Sequence, residues 1–392
     1  MATSRVRGRV PAAAKTTGAK DLGELAATLA QIHKAKGMRT IIKGSETRQP
    51  RRHPTGIFLL DMGLLGGLGE SRQHQYSGPR SSGKTSSALR TIAIFQRRNP
   101  DKKAVFVDVE HTFDPVWAQT LGVDLESLLL VQPSTAEEAI DLVEALLSTI
   151  EVGLIVFDSI AAMVPTTEAE QSAEDNATPG LHAKMTTRLV RKANRVLLDQ
   201  SKRDHHPLVL YLNQQRARIG GWAPAGQEAL QVTGGKAMDF FITTHTKFKN
   251  HEKLGKDDDT GAESTVLNEH GFTIEKNKQN GGLRKGEFQM LREDSDDYPE
   301  LSMGMLDDAV TMLAMCKRMG LYTGGGKAWT LAMPQSGDMK FGNMAEVYGM
   351  LYEDEDKYNE LYWHLIADQA RKQKMPDYHI EHILKDLRVC LV

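Results

Sequence analysis

The sequence predicts an α/β fold, a nucleotide-binding core built on a parallel central sheet with crossover helices. Three observations carry that expectation. Residues Gly78-Pro79-Arg80-Ser81-Ser82-Gly83-Lys84-Thr85 fit G-x-x-x-x-G-K-[ST], a loop whose backbone N–H groups and lysine hold nucleotide phosphates. Between about 51 and 290, short apolar runs alternate with helical patterns, as successive strand–helix units do. The clearest runs, 104–108, 153–158 and 207–212, each end in polar residues, where open α/β sheets place their ligands.

Taken in order, residues 1–20 contain Arg5, Arg7, Arg9, Lys15 and Lys20 and no acid. They read as a disordered basic tail, with a nucleic-acid contact and an organelle transit peptide as the alternatives. Within 21–50, the stretch 21–36 carries Leu22, Leu25, Leu29 and Ile32 on one helical side. So short a helix buries little alone, so it is expected to dock on the core or to serve oligomerisation. The core follows over 51–290. Its strand at 71–77, just ahead of the phosphate loop, is almost wholly polar, whereas a central parallel strand is normally apolar. After the loop, Ala88, Ile92 and Phe95 keep helical spacing, which aims a helix N-terminus at the phosphates. Ser134 and Glu137 form a capping-box pattern that opens a helix with Ile140, Val143 and Leu147. The charged stretches 253–263 and 292–300 read as solvated loops. A small C-terminal α/β domain is expected over 291–392, where nine methionines between Met303 and Met350 serve as adaptable core filler.

Composition agrees with a globular chain: 392 residues, 40% apolar and 26% charged, with a net charge of −2. No run of about 18 apolar residues exists, so no membrane span is expected. Cys316 and Cys390 have no metal-ligand spacing and suit a reducing compartment.

The loop chemistry calls for a nucleoside triphosphate and Mg²⁺, and the resemblance given below makes the nucleotide ATP. Gly78 and Gly83 allow the backbone to curl with its N–H groups inward. Lys84 brings positive charge to the β- and γ-phosphates, and the Thr85 hydroxyl can ligate Mg²⁺. Hydrolysis further needs an acid for the metal's water shell and another to activate water. Asp158 closes the apolar run 153–157 and fits the first role, with Ser159 able to share its hydrogen bonds. Asp108 and Glu110 follow the strand at 104–107, and Glu110 is the candidate for polarising the water.

Two segments suit DNA. In the helix expected over about 180–203, Lys184, Arg188, Arg191 and Arg195 form one basic stripe, while Leu181, Met185, Leu189 and Val196 form an apolar one. A row of like charges is best matched by phosphate, with a solvated helix face as the plainer alternative. The segment 215–233 is too glycine-rich to fold alone, yet it carries Arg216, Arg218, Ile219 and Trp222. Its arginines can track phosphate while Ile219 or Trp222 wedges against unstacked bases.

Several of these motifs occur together in order. Val107-Asp-Val-Glu-His111, Phe113-Asp-Pro-Val-Trp117, Leu121-Gly-Val-Asp124, the phosphate loop and Phe157-Asp-Ser-Ile-Ala-Ala162 resemble the bacterial RecA recombinase family, over about residues 21–330. The resemblance implies a RecA-type ATPase core and a DNA-dependent ATPase. It implies adenine stacking on Trp117, whose broad π face suits that task, and a contact from Asp114 to the adenine amino group. Gln214, in Leu212-Asn-Gln-Gln-Arg216, takes the position of the γ-phosphate sensor. Lys276 and Lys278 take that of a lysine pair reaching the ATP of an adjacent protomer. Lys184 and Arg191 fall where the family contacts DNA, and Gly234-Gly235 where the DNA loop ends. The implied activity is a helical filament on single-stranded DNA that pairs it with double-stranded DNA and exchanges strands. Single-strand-binding and mediator proteins are the implied partners, and the cytoplasm of a bacterium or phage-infected host is the implied setting.

Some positions depart from the pattern. Asp239 stands where the family has a lysine near the protomer interface, Pro179 replaces an apolar residue, and the acidic C-terminal tail is missing. Residues beyond about 331 match nothing recognisable. These point to a divergent member of bacterial or bacteriophage origin. A ring-forming RecA-fold helicase and a non-hydrolysing, ATP-gated single-strand-binding mediator are the rival readings. The short N-terminal region argues against the first, and Glu110 against the second.

Overall fold

The chain divides into two units, Met1–Arg48 and Gln49–Val392. The computed structural model describes residues 28, 31, 50–169, 180–217, 230–232, 235–256, 263–279, 281–296 and 298–385. Thr28 and Gln31 are helical. The rest of the expected N-terminal helix, the basic tail, Pro179 and Cys390 lie outside the described residues.

In the second unit, β1 (Arg52–His53) and β2 (Leu68–Gly69) pair antiparallel around α1 (Phe58–Leu64). Strand–helix units follow as β3 (Gln73–Gly78), α2 (Lys84–Arg98), β4 (Lys103–Asp108), α3 (Pro115–Thr120), β5 (Leu128–Val131), α4 (Ala136–Ser148) and β6 (Val152–Asp158). Next come α5 (Thr166–Ala169), the long α6 (Leu181–Ser201), β7 (Leu208–Ala217), β8 (Leu230–Val232) and α7 (Gly235–Phe241). Three long strands, β9 (Thr244–Lys256), β10 (Glu263–Asn277) and β11 (Lys285–Leu291), complete the main sheet. Beyond it lie α8 (Asp308–Met319), an antiparallel sheet of β12 (Tyr322–Gly325), β13 (Ala328–Met333) and β14 (Gly337–Phe341), then α9 (Met344–Glu353), α10 (Glu355–Lys372) and α11 (Asp377–Lys385).

The main sheet runs β11-β10-β9-β3-β7-β6-β4-β5, with β8 paired to β7 off that path. From β9 to β5 the pairs are parallel, whereas β10 and β11 add antiparallel. The sheet is therefore mixed, because short connections between neighbouring strands permit only antiparallel pairing. The charged stretch at 253–263, expected as a solvated loop, is partly strand: Lys253 to Lys256 pair with Leu267, Ser264 and Glu263.

Alternation along the strands covers both faces. Val105, Val107, Ile155, Phe157 and Val209 pack with Ile140 and Val143 of α4 and Leu189 and Ala193 of α6. Phe106, Leu154, Val156, Leu208 and Leu210 pack with Ala88, Ile92 and Phe95 of α2 on the other side. The polar strand ahead of the loop is β3, and every residue of it is buried. Three of its polar side chains, Gln73, His74 and Ser77, find buried partners, which makes polar residues tolerable there. Gln73 donates to the Val190 carbonyl at 3.2 Å and accepts from the Tyr211 hydroxyl at 2.9 Å. His74 lies 2.7 Å from Thr244 Oγ1 and 2.8 Å from the Gly69 carbonyl. Ser77 lies 2.7 Å from His245 Nε2.

The expected capping box sits one residue later. Thr135, not Ser134, caps α4 by accepting from the Glu138 N–H, and Glu138 accepts from the Ser134 N–H. Thr135-x-x-Glu138 fits the same pattern, and Glu137 instead receives the Thr166 N–H and hydroxyl.

The C-terminal elements build a third core with α1. Tyr362, Trp363, Leu365 and Ile366 of α10 pack with Phe58 and Met62, and Met305, Met312 and Met333 fill it as expected. Asp61 is fully buried there, accepting from Thr55, Gly56 and the Tyr362 hydroxyl, the last at 2.7 Å.

Candidate active site

Strand β3 delivers the chain to the phosphate loop at Gly78, beside Gln214 on β7. A Cβ on Gly78 would lie 2.5 Å from Ser82 Oγ and 2.7 Å from the Phe248 carbonyl oxygen, so only glycine fits. Gly83 opens α2 with φ +85°, and a Cβ there would lie 2.8 Å from the His270 ring. Within this curl, Lys84 Nζ donates to the Pro79 carbonyl at 2.7 Å. Burial pulls the Lys84 pKa down, against the upward pull of Asp158 and Glu110. Arg80 and Ser81 are exposed, while Ser82 is buried.

Three acids lie at the ends of β4 and β6, and each has different partners. Asp158 accepts from the Thr85 hydroxyl at 2.9 Å. Its carboxyl is pushed up to about 7, first by burial and then by the charge of Glu110. Glu110 Oε1 accepts from the Ser159 hydroxyl and, at 2.8 Å, from Gln214 Nε2. Ser159, expected to assist Asp158, thus serves Glu110. Asp108 instead shapes the turn that carries Glu110. It accepts from the Thr112 and Phe113 N–H groups, both at 3.2 Å, and from Gln132 at 3.1 Å.

These donors fit Mg²⁺. Thr85 and Asp158 present hard oxygens side by side, and Mg²⁺ at phosphate sites uses one or two protein ligands, with phosphate and water completing its shell. Among the described residues no cluster of three or more acids, histidines or cysteines offers a metal an all-protein cage.

A cleft of about 350 Å³ extends from Ser81–Ser86 toward Asn268, His270 and Arg292. Trp117 stands near its Ser86 end, its indole N–H donating to Ser86 Oγ at 3.0 Å. The Arg292 guanidinium lies over the indole ring, 4.3 Å from its centroid, a cation–π contact. Asp114 caps α3, and its Oδ1 accepts the N–H groups of Val116 and Trp117. This cap fixes the orientation of the helix that carries the indole. Burial, with Arg292 second, holds His270 down at about 4, so it is a neutral imidazole beneath Gly83.

Sequence reasoning missed Arg292, His270 and Asn268. Arg292 falls in the stretch expected as solvated, and the available signal was a cation directly after an apolar strand end. His270 and Asn268 alternate along β10, a spacing that becomes meaningful only once β10 is placed beside the loop.

Other expected site residues lie apart from this cleft. Lys276 Nζ donates to the Asp239 carbonyl, and Lys278 Nζ to the Phe240 carbonyl at 3.1 Å, so both cap the C-terminal end of α7. On α6, Lys184, Arg188, Arg191 and Arg195 are exposed, but Arg195 pairs with Glu144 of α4. Arg216 lies on β7, where it pairs with Gln231 of β8, and Gly235 begins α7. Arg218, Ile219, Trp222 and Gly234 lie outside the described residues. Among the described residues no helix is long and apolar enough to cross a membrane.

A family model described as the RecA N-terminal domain matches residues 23–295. Protein RecA of Mycobacteroides abscessus is 36% identical over 266 residues, covering 67% of this chain and 72% of that protein. Protein RecA of Xanthomonas campestris pv. campestris is 36% identical over 251 residues, 62% of this chain and 69% of its own. Protein RecA of Xylella fastidiosa is 34% identical over 246 residues, again 62% of this chain.

Proposed function

The chain belongs to the RecA family of recombinases, and on that premise we propose that it is an ATP-dependent recombinase forming a helical filament on single-stranded DNA. In this reading it pairs that strand with homologous double-stranded DNA and exchanges strands, in the cytoplasm of a bacterium or phage-infected host. The loop N–H groups and Lys84 hold the ATP phosphates. Thr85 and Asp158 would hold Mg²⁺, which when bound would supply positive charge to offset that of the phosphates. Glu110 takes the proton of the attacking water, while Ser159 and Gln214 keep its Oε1 in place. Trp117 and Arg292 bound the base.

One observation carries the reading: Gln214 Nε2 touches Glu110 Oε1 at 2.8 Å from the end of β7. That strand continues into the segment with Arg218, Ile219 and Trp222. A change of amide partner as the γ-phosphate leaves would shift this segment's grip on DNA, an order–disorder switch driven by the nucleotide. Arg216, Lys184, Arg188 and Arg191 supply cations for the same strand.

The position of the lysine pair supports action on a neighbouring protomer. His270 reaches this chain's own loop, and Lys276 stands six residues further along β10, roughly 20 Å away at strand rise. Lys276 and Lys278 therefore sit far from their own phosphates, and an adjacent copy's ATP is the natural target. Cations supplied this way stabilise charge on the transferred phosphoryl group only after assembly.

The test is single-stranded DNA affinity, read by fluorescence anisotropy with a non-hydrolysable ATP analogue, with ADP and without nucleotide. ATP turnover is followed alongside, with and without DNA. The expected result is tight binding with the ATP analogue only, weakening steeply with salt. Equal affinity in all three conditions would end the proposal.

A further inference from the structure

The polar side chains of β3 have a consequence beyond their own burial. Ser77 immediately precedes Gly78 of the phosphate loop, and its hydroxyl lies 2.7 Å from His245 Nε2 on β9. His245 Nδ1 lies 3.5 Å from Glu275 Oε2 on β10, and Glu275 immediately precedes Lys276. Lys276 is also the register partner of His245 across the β9–β10 pair. Three adjacent strands thus carry one polar chain from the phosphate loop to the lysine-bearing end of β10. Glu275 facing Nδ1 favours the tautomer protonated there, in which Nε2 accepts from the Ser77 hydroxyl. Burial lowers the pKa of His245, in keeping with a neutral ring. Ser77 is fully buried, so the trio is no hydrolytic triad exposed to substrate.

We propose that His245 is a positioning residue for ATP turnover, joining the phosphate loop through Ser77 to Lys276 and Lys278 through Glu275. In a filament this would link the nucleotide site of one protomer to the cations it presents to the next. The inference rests on the trans role of the lysines given above. It also gives the polar β3 a task, since an apolar strand would fill the same space without transmitting position.

The test is a double-mutant cycle with S77A and E275Q, reading kcat and KM of DNA-stimulated ATP turnover in the full chain. These residues flank His245 without touching each other, so unlinked sites would give additive effects. The expected result is a fall in kcat of about five- to tenfold for each, with KM little changed and the double variant no worse than the poorer single. H245Q places its amide near Nε2, keeping the Ser77 contact, and is expected to reproduce E275Q; if S77A fails to fold, unchanged kcat in H245Q overturns the proposal by itself. Additive losses, or no loss in either single variant, overturn the proposal. Mixing K276A with K84A protomers isolates the underlying premise. K84A cannot turn over its own ATP but still presents lysines, so restored turnover supports action in trans. If that mixture fails, the trans reading falls; if it succeeds while the cycle is additive, only the linkage falls.

Discussion

Glu110→Gln separates binding from chemistry, because of where the contacts to Glu110 fall. Both donors, Ser159 and Gln214, converge on Oε1. A glutamine keeps a carbonyl oxygen at that position, so both bonds survive with a neutral acceptor in place of a charged one. The difference between charged and neutral hydrogen bonds is about 1 kcal/mol each, too little to disorder the site. The substitution also removes one of the two largest influences that raise the Asp158 carboxyl, so Mg²⁺ binding is expected to hold or improve at neutral pH. What is lost is the proton acceptor. General base catalysis contributes about 10²- to 10⁴-fold, equivalent to roughly 3–5 kcal/mol of barrier. Phosphate release at saturating single-stranded DNA should fall by that factor, while nucleotide affinity and the nucleotide-dependent grip on DNA remain. Turnover within tenfold of wild type would remove Glu110 from the chemistry. Parallel loss of ATP binding would show that its role is structural.

Three further substitutions probe the scaffold. Gly83→Ala puts a side chain at φ +85° and against His270 at 2.8 Å, so nucleotide binding measured by calorimetry should be lost; ordinary affinity would refute the fit described for the loop. Tyr362→Phe removes one donor to the buried Asp61 carboxylate and should cost about 1.5–3 kcal/mol, seen as a lower urea midpoint with unchanged slope. An unshifted midpoint would mean that this contact between α10 and α1 contributes nothing. Asp308→Asn tests pH linkage. Burial raises the Asp308 carboxyl from 3.8 to about 7, so the folded state binds this proton more tightly than the unfolded chain. The stabilisation is present below the unfolded pKa and is lost as pH rises through the folded one. The asparagine variant should therefore gain on wild type between about pH 4 and 7, by at most roughly 4 kcal/mol. Urea titrations at pH 5 and pH 8 giving the same difference would contradict it.

The parts legible in the sequence were those fixed by local chemistry. The phosphate loop announces itself because Gly78, Gly83, Lys84 and Thr85 each answer a separate need of a phosphate site. Asp158 and Glu110 were legible as polar ends of apolar runs. That Asp108 shapes the turn carrying Glu110 was not, because it depends on which backbone N–H groups the 109–113 turn directs inward. Arg292, His270 and Asn268 were hidden for a related reason. They come from β10 and the end of β11, and only the strand order β9-β3 with β10 beyond it brings them to a loop nearly two hundred residues earlier. The basic stripe on α6 was legible by spacing, yet spacing gave no sign that α4 supplies Glu144 to Arg195. Polarity in β3 looked like an exception until its partners on α6, β7 and β9 were in place.

Strand β10 shows why turnover and assembly belong together in the proposed mechanism. Its middle sets His270 beneath Gly83, and its C-terminal end, roughly 20 Å on at strand rise, presents Lys276 with Lys278 just beyond. A single paired strand cannot bring both places to one triphosphate, so in that mechanism a protomer alone would lack the lysine cations for its own phosphoryl transfer. In the proposed mechanism it would hold the proton acceptor, the metal ligands and the phosphate loop, and would stay slow until a neighbour docks. On that proposal hydrolysis would become a property of the filament, and the site proposed to sense the γ-phosphate through Gln214 would be completed by the contact that extends the polymer.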